Sequence, residues 1–115
     1  DLLDGGTGFD ILVGGPGIDT FVYSDTTISA RDTINDFSTT DDVIDLSALL
    51  TDYDSGTDDI NDYISLGLEG SSTTISVDQD GTGLSFTGEQ VLALYNVDIT
   101  SSLVDDLVND GTIIV

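Results

Sequence analysis

Glycine and aspartate recur at a fixed spacing near the start of the chain. Residues 5–13 read G-G-T-G-F-D-I-L-V and residues 14–22 read G-G-P-G-I-D-T-F-V, so both nonamers follow G-G-x-G-x-D-x-U-x, where U is a large apolar residue. Glycine opens backbone conformations that a turn needs if its carbonyl groups are to enclose a cation. A hard cation prefers carboxylate and carbonyl oxygens, and Asp10 and Asp19 supply one carboxylate each. The pattern therefore predicts cation sites rather than a glycine-rich linker with two chance acidic residues.

The register of the nonamers extends in both directions. Asp1 lies nine residues before Asp10, which predicts that the chain begins inside a repeat array of a longer protein. Asp32 lies thirteen residues after Asp19, so we expect four extra residues in the connecting turn. That turn, residues 24–31, contains no glycine and is predicted to be irregular.

A short strand is predicted after each aspartate, at residues 11–13 and 20–22. The middle residues of these strands, Leu12 and Phe21, occupy the U position of the two nonamers. Equivalent positions point the same way in successive repeats, so we expect both side chains to fill the core.

The two nonamers resemble the calcium-binding nonapeptide repeats of RTX proteins. The resemblance implies a right-handed parallel β-roll, in which successive turns lie at opposite edges and Ca²⁺ ions lie between stacked turns. Asp1 and Asp19 would then face one row of ions, and Asp10 and Asp32 the other. The metal ligands that the resemblance implies are these aspartates and the turn residues between them: Asp1, Gly5, Gly6, Thr7, Gly8, Asp10, Gly14, Gly15, Pro16, Gly17, Asp19 and Asp32.

A second resemblance follows the repeats. The segments D-T-I-N-D-F (32–37) and D-D-V-I-D-L-S (41–47) are similar to the region after the repeats in secreted RTX proteases and adhesins. In that family such residues can complete a last calcium site, which would use Asp36 and Asp45. Solvated carboxylates at strand ends explain these two residues equally well.

The composition excludes several classes of partner. The chain has 23 acidic residues and one basic residue, Arg31, which gives a net charge of −22. Such a charge repels nucleic acid and anionic membrane surfaces. Because 38% of the residues are hydrophobic, permanent disorder is not expected; instead, charge repulsion should oppose the compact state until cations bind. No cysteine is present for disulfides, and no apolar run is long enough to span a membrane.

The region after the repeats is predicted to be β-rich, with one to three short helices. Strands are predicted at residues 43–46, 64–68, 73–78, 84–86, 90–97 and 112–115. A helix at 102–109, capped by Ser101 or Ser102, is indicated by its apolar spacing. The predicted fold is all-β: repeats at 1–37 form the roll and run into a sandwich-like sheet region at 38–115, as one continuous unit.

One motif points in another direction. Five residues match EF-hand loop positions 1, 3, 5, 6 and 12: Asp78, Asp80, Thr82, Gly83 and Glu89. An EF-hand needs a helix on each side, whereas residues 73–77 alternate between polar and apolar in the manner of a strand. A hairpin turn at 78–81 is therefore the favoured interpretation, and a weak cation site there stays open.

No catalytic constellation is present, since the chain has no histidine, cysteine or lysine. The domain is therefore predicted not to be an enzyme. It resembles the C-terminal end of RTX proteins that bacteria export by the type I pathway. That resemblance implies a calcium-dependent folding and export module, secreted or at the cell surface, which meets the type I machinery during export and is a monomer as a fragment.

An uncleaved export signal is expected at the C-terminus, where residues 110–115 combine an acid with an apolar end; an ordinary edge strand is an equal alternative. Two other functions remain open at this point. The domain could be an adhesin end that binds a surface or a carbohydrate in the presence of calcium. It could also be an accessory domain of an extracellular protease or lipase.

Overall fold

The computed structural model describes residues 1–24, 30–81 and 89–115. The strands in these ranges are β1 (Leu2–Asp4), β2 (Ile11–Leu12), β3 (Thr20–Val22), β4 (Asp32–Ile34), β5 (Val43–Asp45), β6 (Ile64–Glu69), β7 (Ser72–Val77), β8 (Glu89–Leu94) and β9 (Ile113–Ile114). The helices are two single 3₁₀ turns (Ser47–Leu49 and Ile60–Asp62) and α1 (Val104–Asn109). Most of the irregular turn expected at 24–31 and the strand expected at 84–86 lie outside the described residues.

The strands form two sheets, and the chain passes back and forth between them. The first sheet has the order β1-β3-β5-β9, and its neighbouring strands are all parallel. The second sheet has the order β2-β4-β8-β7-β6, in which β2, β4 and β8 are parallel and β8, β7 and β6 are antiparallel. Because β1 to β5 alternate between the sheets, the chain winds as a roll. This confirms the prediction of an all-β parallel β-roll that runs into a further β-sheet region.

The core lies between the two sheets and is lined by the inward residue of each short strand. Phe21, Ile34 and Ile44 occupy equivalent inward positions on β3, β4 and β5 and are buried. Leu12 is half-buried and packs against this core, so the expected direction of Leu12 and Phe21 is confirmed. Each fully buried side chain of this size contributes about 1.5–3 kcal/mol to folding, and the core therefore fixes which strand residues point outward.

Strand β8 lies in the middle of the second sheet, as its apolar run predicts. Residues 91–94 are all buried. Ile75 and Val77 of β7 are also buried, in agreement with the alternation of their segment. The central position of β8 joins the parallel strands of the roll to the antiparallel strands β7 and β6.

The start of helix α1 differs from the prediction. Its N-cap residue is Leu103, with no side-chain capping hydrogen bond, so the expected cap by Ser101 or Ser102 is wrong. Leu103 is exposed, whereas Val104 and Leu107 face the core. Ser102 instead lies in the preceding turn, where its N–H donates to the carbonyl group of Ile99 over 3.0 Å.

The chain leaves α1 through a turn at Gly111, which has φ +86°. It then pairs β9 in parallel with β5, where Ile113 lies opposite Ile44. Ile113 is buried. The C-terminal apolar segment is therefore a strand of the first sheet in the folded domain.

Candidate metal centre

The turns between the two sheets stack at two edges of the roll. At the first edge, the turns that precede β2 and β4 end in Asp10 and Asp32. At the second edge, the turns that precede β3 and β5 end in Asp19 and Asp42, and Asp1 precedes β1. The sequence-predicted aspartates thus lie in the two rows that the resemblance to RTX repeats implies.

A repeated hydrogen bond connects neighbouring aspartates within each row, and we call this arrangement the aspartate ladder. The N–H of Asp10 donates to Oδ1 of Asp32 over 3.0 Å. At the second edge, the N–H of Asp19 donates to Oδ1 of Asp42 over 3.0 Å, and the backbone nitrogen of Asp1 donates to Oδ1 of Asp19 over 2.6 Å. In each case Oδ1 of the later aspartate is held in place by the preceding turn of the same row, which leaves its Oδ2 to face other groups.

Oδ2 of Asp10 and Oδ2 of Asp19 are buried without a hydrogen-bond partner among the described residues. Asp19 is only 1% exposed, so water cannot solvate its carboxylate freely. An isolated buried ion costs several kcal/mol after relaxation of its surroundings. A cation placed against these oxygens would remove that cost, and the observed chemistry therefore fits a hard metal ion.

The first glycine of each nonamer leaves room for the carboxylates. A Cβ at Gly14 would overlap Oδ2 of Asp19, and a Cβ at Gly5 would lie 2.8 Å from Oδ2 of Asp32 and 3.0 Å from Oδ2 of Asp10. Any side chain would fill this space. Gly5 and Gly14 are therefore required because they let carboxylates approach the turn backbone.

The turn backbone has the conformations that the glycine pattern predicts. The second and fourth residues of both nonamers have φ between +75° and +109°: Gly6, Gly8, Gly15 and Gly17. A residue with a Cβ rarely adopts such values. Thr7 and Pro16 are exposed between these glycines, and their role as carbonyl ligands stays a prediction.

Asp36 and Asp45 occupy different environments from the ladder. Both oxygens of Asp36 accept hydrogen bonds, from the N–H groups of Gly14 (2.9 Å) and Gly15 (2.7 Å). Asp36 therefore ties its own turn to the preceding turn of the second edge. Oδ1 of Asp45 accepts hydrogen bonds from the N–H and the hydroxyl group of Ser47, and no described contact joins it to a ladder carboxylate.

The sequence prediction missed Asp42, which is 4% exposed. Its Oδ1 accepts the N–H of Asp19, and its Oδ2 accepts the N–H of Ser38 over 2.8 Å. The signal was available, because Asp42 stands two residues before the buried Ile44 just as Asp19 stands two residues before Phe21. Asp4 was missed as well: it accepts the N–H of Gly6 and the hydroxyl group of Ser24 at the first edge.

The charge of the ladder is not balanced by basic side chains. Arg31 is the chain's single lysine or arginine, and its Nη1 lies 2.9 Å from Oε2 of Glu69 on β6. No cluster of three or more acidic side chains that could hold a metal occurs in the ranges that the structure describes. A bound cation would therefore combine ladder carboxylates with carbonyl groups of the turns, which is a normal ligand set for Ca²⁺.

The EF-hand match does not form an EF-hand. It is flanked by the strands β7 and β8, which pair antiparallel, and not by the two helices that an EF-hand needs. Thr82 and Gly83 lie outside the described residues. Asp78 is buried, and its Oδ2 has no hydrogen-bond partner among the described residues. Burial and the neighbouring Asp80 raise the pKa of Asp78 above its ordinary value. A cation site at this turn stays a prediction.

The ladder can be tested with two adjacent aspartates that differ in burial. Asp42→Asn is expected to raise the calcium concentration at half-saturation on the order of 10-fold, because it weakens the group that orients Asp19. Asp41→Asn removes the same charge from an exposed neighbour and is expected to have little effect. Calorimetric calcium titration measures both. Equal shifts in the two variants would mean that general charge screening, not the ladder, controls affinity.

A parallel β-roll with glycine turns and stacked aspartates defines the class of RTX-type calcium-binding repeat domains. The chain belongs to the Peptidase M10 serralysin C-terminal family, whose model matches residues 3–108. Its metal is Ca²⁺, the ion that these repeats bind. The serralysin C-terminal region is a non-catalytic repeat region, and domains of this kind occur in secreted proteins.

A solved structure with a similar fold supports this assignment. The chain is similar to a subunit of the mannuronan C5-epimerase from Azotobacter vinelandii, whose solution structure matches with 32% sequence identity and a TM-score of 0.50. The match covers 90% of this chain and 65% of that structure's chain, so this chain spans less than two thirds of its length. No curated protein shows significant similarity to the sequence. In the described residues, no helix is long and apolar enough to cross a membrane.

Proposed function

We propose that this domain is a calcium-dependent folding and export module of a secreted RTX protein. The observation that carries the proposal is the aspartate ladder, beside which Oδ2 of Asp10 and Oδ2 of Asp19 are buried and have no hydrogen-bond partner in the described part of the chain. Extracellular calcium modules commonly have Kd values of roughly 10⁻⁴–10⁻³ M. Such sites are empty in a low-calcium cytosol and filled outside the cell. The chain therefore stays unfolded before export and folds after it.

The ladder gives each residue type a separate task. The N–H of one aspartate fixes Oδ1 of the next, so that Oδ2 is presented to the ion in a set orientation. The glycines bring turn carbonyls close to the same point. Bound calcium supplies the positive charge that offsets the repulsion between the carboxylates. The proposed ligands are those that the sequence predicts, with Asp42 added: Asp1, Gly5, Gly6, Thr7, Gly8, Asp10, Gly14, Gly15, Pro16, Gly17, Asp19, Asp32 and Asp42.

Three further points remain predictions within this proposal. Asp36 and Asp45 are candidate ligands of a last site, and Asp36 supports the turn of Gly14 whether or not it meets an ion. The division into a roll at 1–37 and a capping region at 38–115 is retained as one continuous unit. The domain is proposed to be a monomer that contacts the type I secretion machinery only during export.

The C-terminal strand β9 is proposed to act twice, as an export signal in the unfolded chain and as a strand after folding. The role as a strand is supported by the pairing of β9 with β5, and the role as a signal by the acid and the apolar residues that residues 110–115 combine. In the folded domain, hydrogen bonds from Thr112 lower the pKa of Asp110; in the unfolded chain an aspartate with its ordinary pKa is already charged at neutral pH.

Deletion of residues 112–115 is expected to abolish secretion from a host that carries a type I system. The same deletion is expected to lower stability, because Ile113 is buried. The control is Ile113→Ala, which is expected to reduce stability by about 2–5 kcal/mol but to keep an apolar tail. Secretion and calcium-dependent circular dichroism are measured for both. If the deletion is secreted normally, or if Ile113→Ala impairs secretion to the same extent, the tail is not a signal.

A second candidate function is an accessory domain of an extracellular protease. The match to the serralysin C-terminal family favours it, since that family is named for an M10 peptidase. The coding sequence upstream of Asp1 tests this function. A zinc-protease motif there would support it, whereas a long array of tandem repeats would favour an adhesin.

A further inference from the structure

The outward face of the second sheet contains a groove of about 210 Å³. Its floor is a row of small residues on adjacent strands: Thr33 on β4 lies opposite Ala93 on β8, which lies opposite Thr74 on β7. Thr33 points away from the core, because its neighbours Asp32 and Ile34 are buried on the other side. Small side chains in the middle of the sheet therefore leave a depression in its outer surface.

An ion pair crosses this face. Nη1 of Arg31, just before β4, donates to Oε2 of Glu69 on β6 over 2.9 Å. In the sheet order, β8 and β7 lie between these two strands. The same Nη1 donates to Oε1 of Gln90 on β8 over 2.9 Å. The link therefore passes over the sheet, and it brings the chain's single basic side chain to the groove.

An exposed aromatic ring forms another wall. Tyr95 follows β8 directly, lines the groove with Ser72, and is 60% exposed. An exposed tyrosine offers a flat apolar ring and a polar hydroxyl group. The groove thus combines one aromatic face, several hydroxyl groups, and the guanidinium group of Arg31 with its carboxylate partner Glu69.

We propose that this groove binds a neutral sugar chain through one of its pyranose units. The C–H face of a pyranose ring is apolar and suits Tyr95, whereas its edge carries hydroxyl groups that suit Thr33, Ser72 and the Arg31–Glu69 link. The charges of that link cancel, and the net charge of −22 repels acidic polymers. The volume is below the roughly 300–1,000 Å³ of drug-sized pockets, so the groove accommodates a small unit of a chain rather than a large ligand.

The test uses the ¹⁵N-labelled domain folded in calcium. It is titrated with the neutral oligosaccharides cellohexaose, maltohexaose and mannohexaose, and with the acidic hexagalacturonate. At least one neutral sugar is expected to shift the amide signals of Thr33, Thr74, Ala93 and Tyr95. Hexagalacturonate is expected to shift them less.

Tyr95→Ala is expected to weaken binding of that sugar on the order of 10-fold, whereas Tyr95→Phe keeps the ring and most of the affinity. The matched control is Leu103→Ala, which removes another exposed apolar side chain, at the start of α1. Calcium-dependent circular dichroism checks that all three variants fold. The proposal is overturned if no neutral sugar shifts the groove signals, if hexagalacturonate binds more tightly, or if Tyr95→Ala and Leu103→Ala have the same effect.

Discussion

The domain is expected to lose most of its β-structure when a chelator removes calcium. Asp19, Asp32 and Asp42 are 1%, 2% and 4% exposed, and the chain has only one basic side chain to offset 23 acidic ones. Without a cation, the compact roll must hold Asp19 beside Asp42 at the second edge and Asp32 beside Asp10 at the first, with little solvent. Because ion binding and folding are then coupled, the unfolded chain is favoured at low calcium.

Far-UV circular dichroism in chelator and in millimolar calcium measures this effect. Magnesium at the same concentration is the control, since it provides equal ionic strength but demands a tight octahedral geometry that carbonyl-rich turns do not offer. Calcium is expected to restore β-structure and magnesium to restore little. Identical spectra in chelator and calcium would contradict calcium-coupled folding, and equal rescue by magnesium would point to charge screening alone.

Among alanine substitutions of the repeat glycines, Gly14→Ala is expected to raise the calcium midpoint the most. The new Cβ would overlap Oδ2 of Asp19 and would lie 2.8 Å from Cγ of the same carboxylate. Either the carboxylate or the turn must move, which removes a buried ligand from its position. We expect a calcium midpoint raised on the order of 10-fold or more and a loss of about 1–3 kcal/mol in the stability of the calcium-bound state.

Gly56→Ala is the matched control for this substitution. Its Cβ would come no closer than 3.3 Å to a neighbour, Oδ1 of Asp54, and neither Gly14 nor Gly56 has a positive φ. The two variants therefore differ in the space around the new methyl group and not in backbone strain. Calcium titration followed by circular dichroism compares them. Equal midpoints would show that the space beside Asp19 is not needed for binding.

The repeats made much of the roll predictable, because their register is local. A fixed offset between each aspartate and the following apolar residue placed Asp10, Asp19 and Asp32 at strand starts and put Phe21 in the core. Asp42 escaped detection because it lies ten residues after Asp32, off the nine-residue spacing, and no glycine precedes it at 38–41 to mark a repeat.

Pairing between distant segments could not be predicted in the same way. The apolar residues at 112–115 indicated an extended segment, but only the three-dimensional arrangement shows that β9 pairs with β5. The groove could not be predicted from the sequence either. Arg31, Glu69 and Gln90 are far apart in the chain and meet only because β4, β8, β7 and β6 lie side by side in one sheet. Local spacing carries no information on such contacts.

The sheet order also has a kinetic consequence. Strands β6, β7 and β8 are consecutive in the chain and pair antiparallel. Strand β4 pairs with β8 only if a long loop closes, and β2 can pair only after β4 is in place. The entropy of loop closure delays non-local pairing. We therefore expect the antiparallel strands to fold first and the strands of the repeats to add to them one after another, towards residue 1. In the proposed export, the C-terminal end leaves the cell first. The antiparallel strands would then leave the cell before the repeats. Each glycine turn would reach extracellular calcium after the turn on which it stacks has already folded.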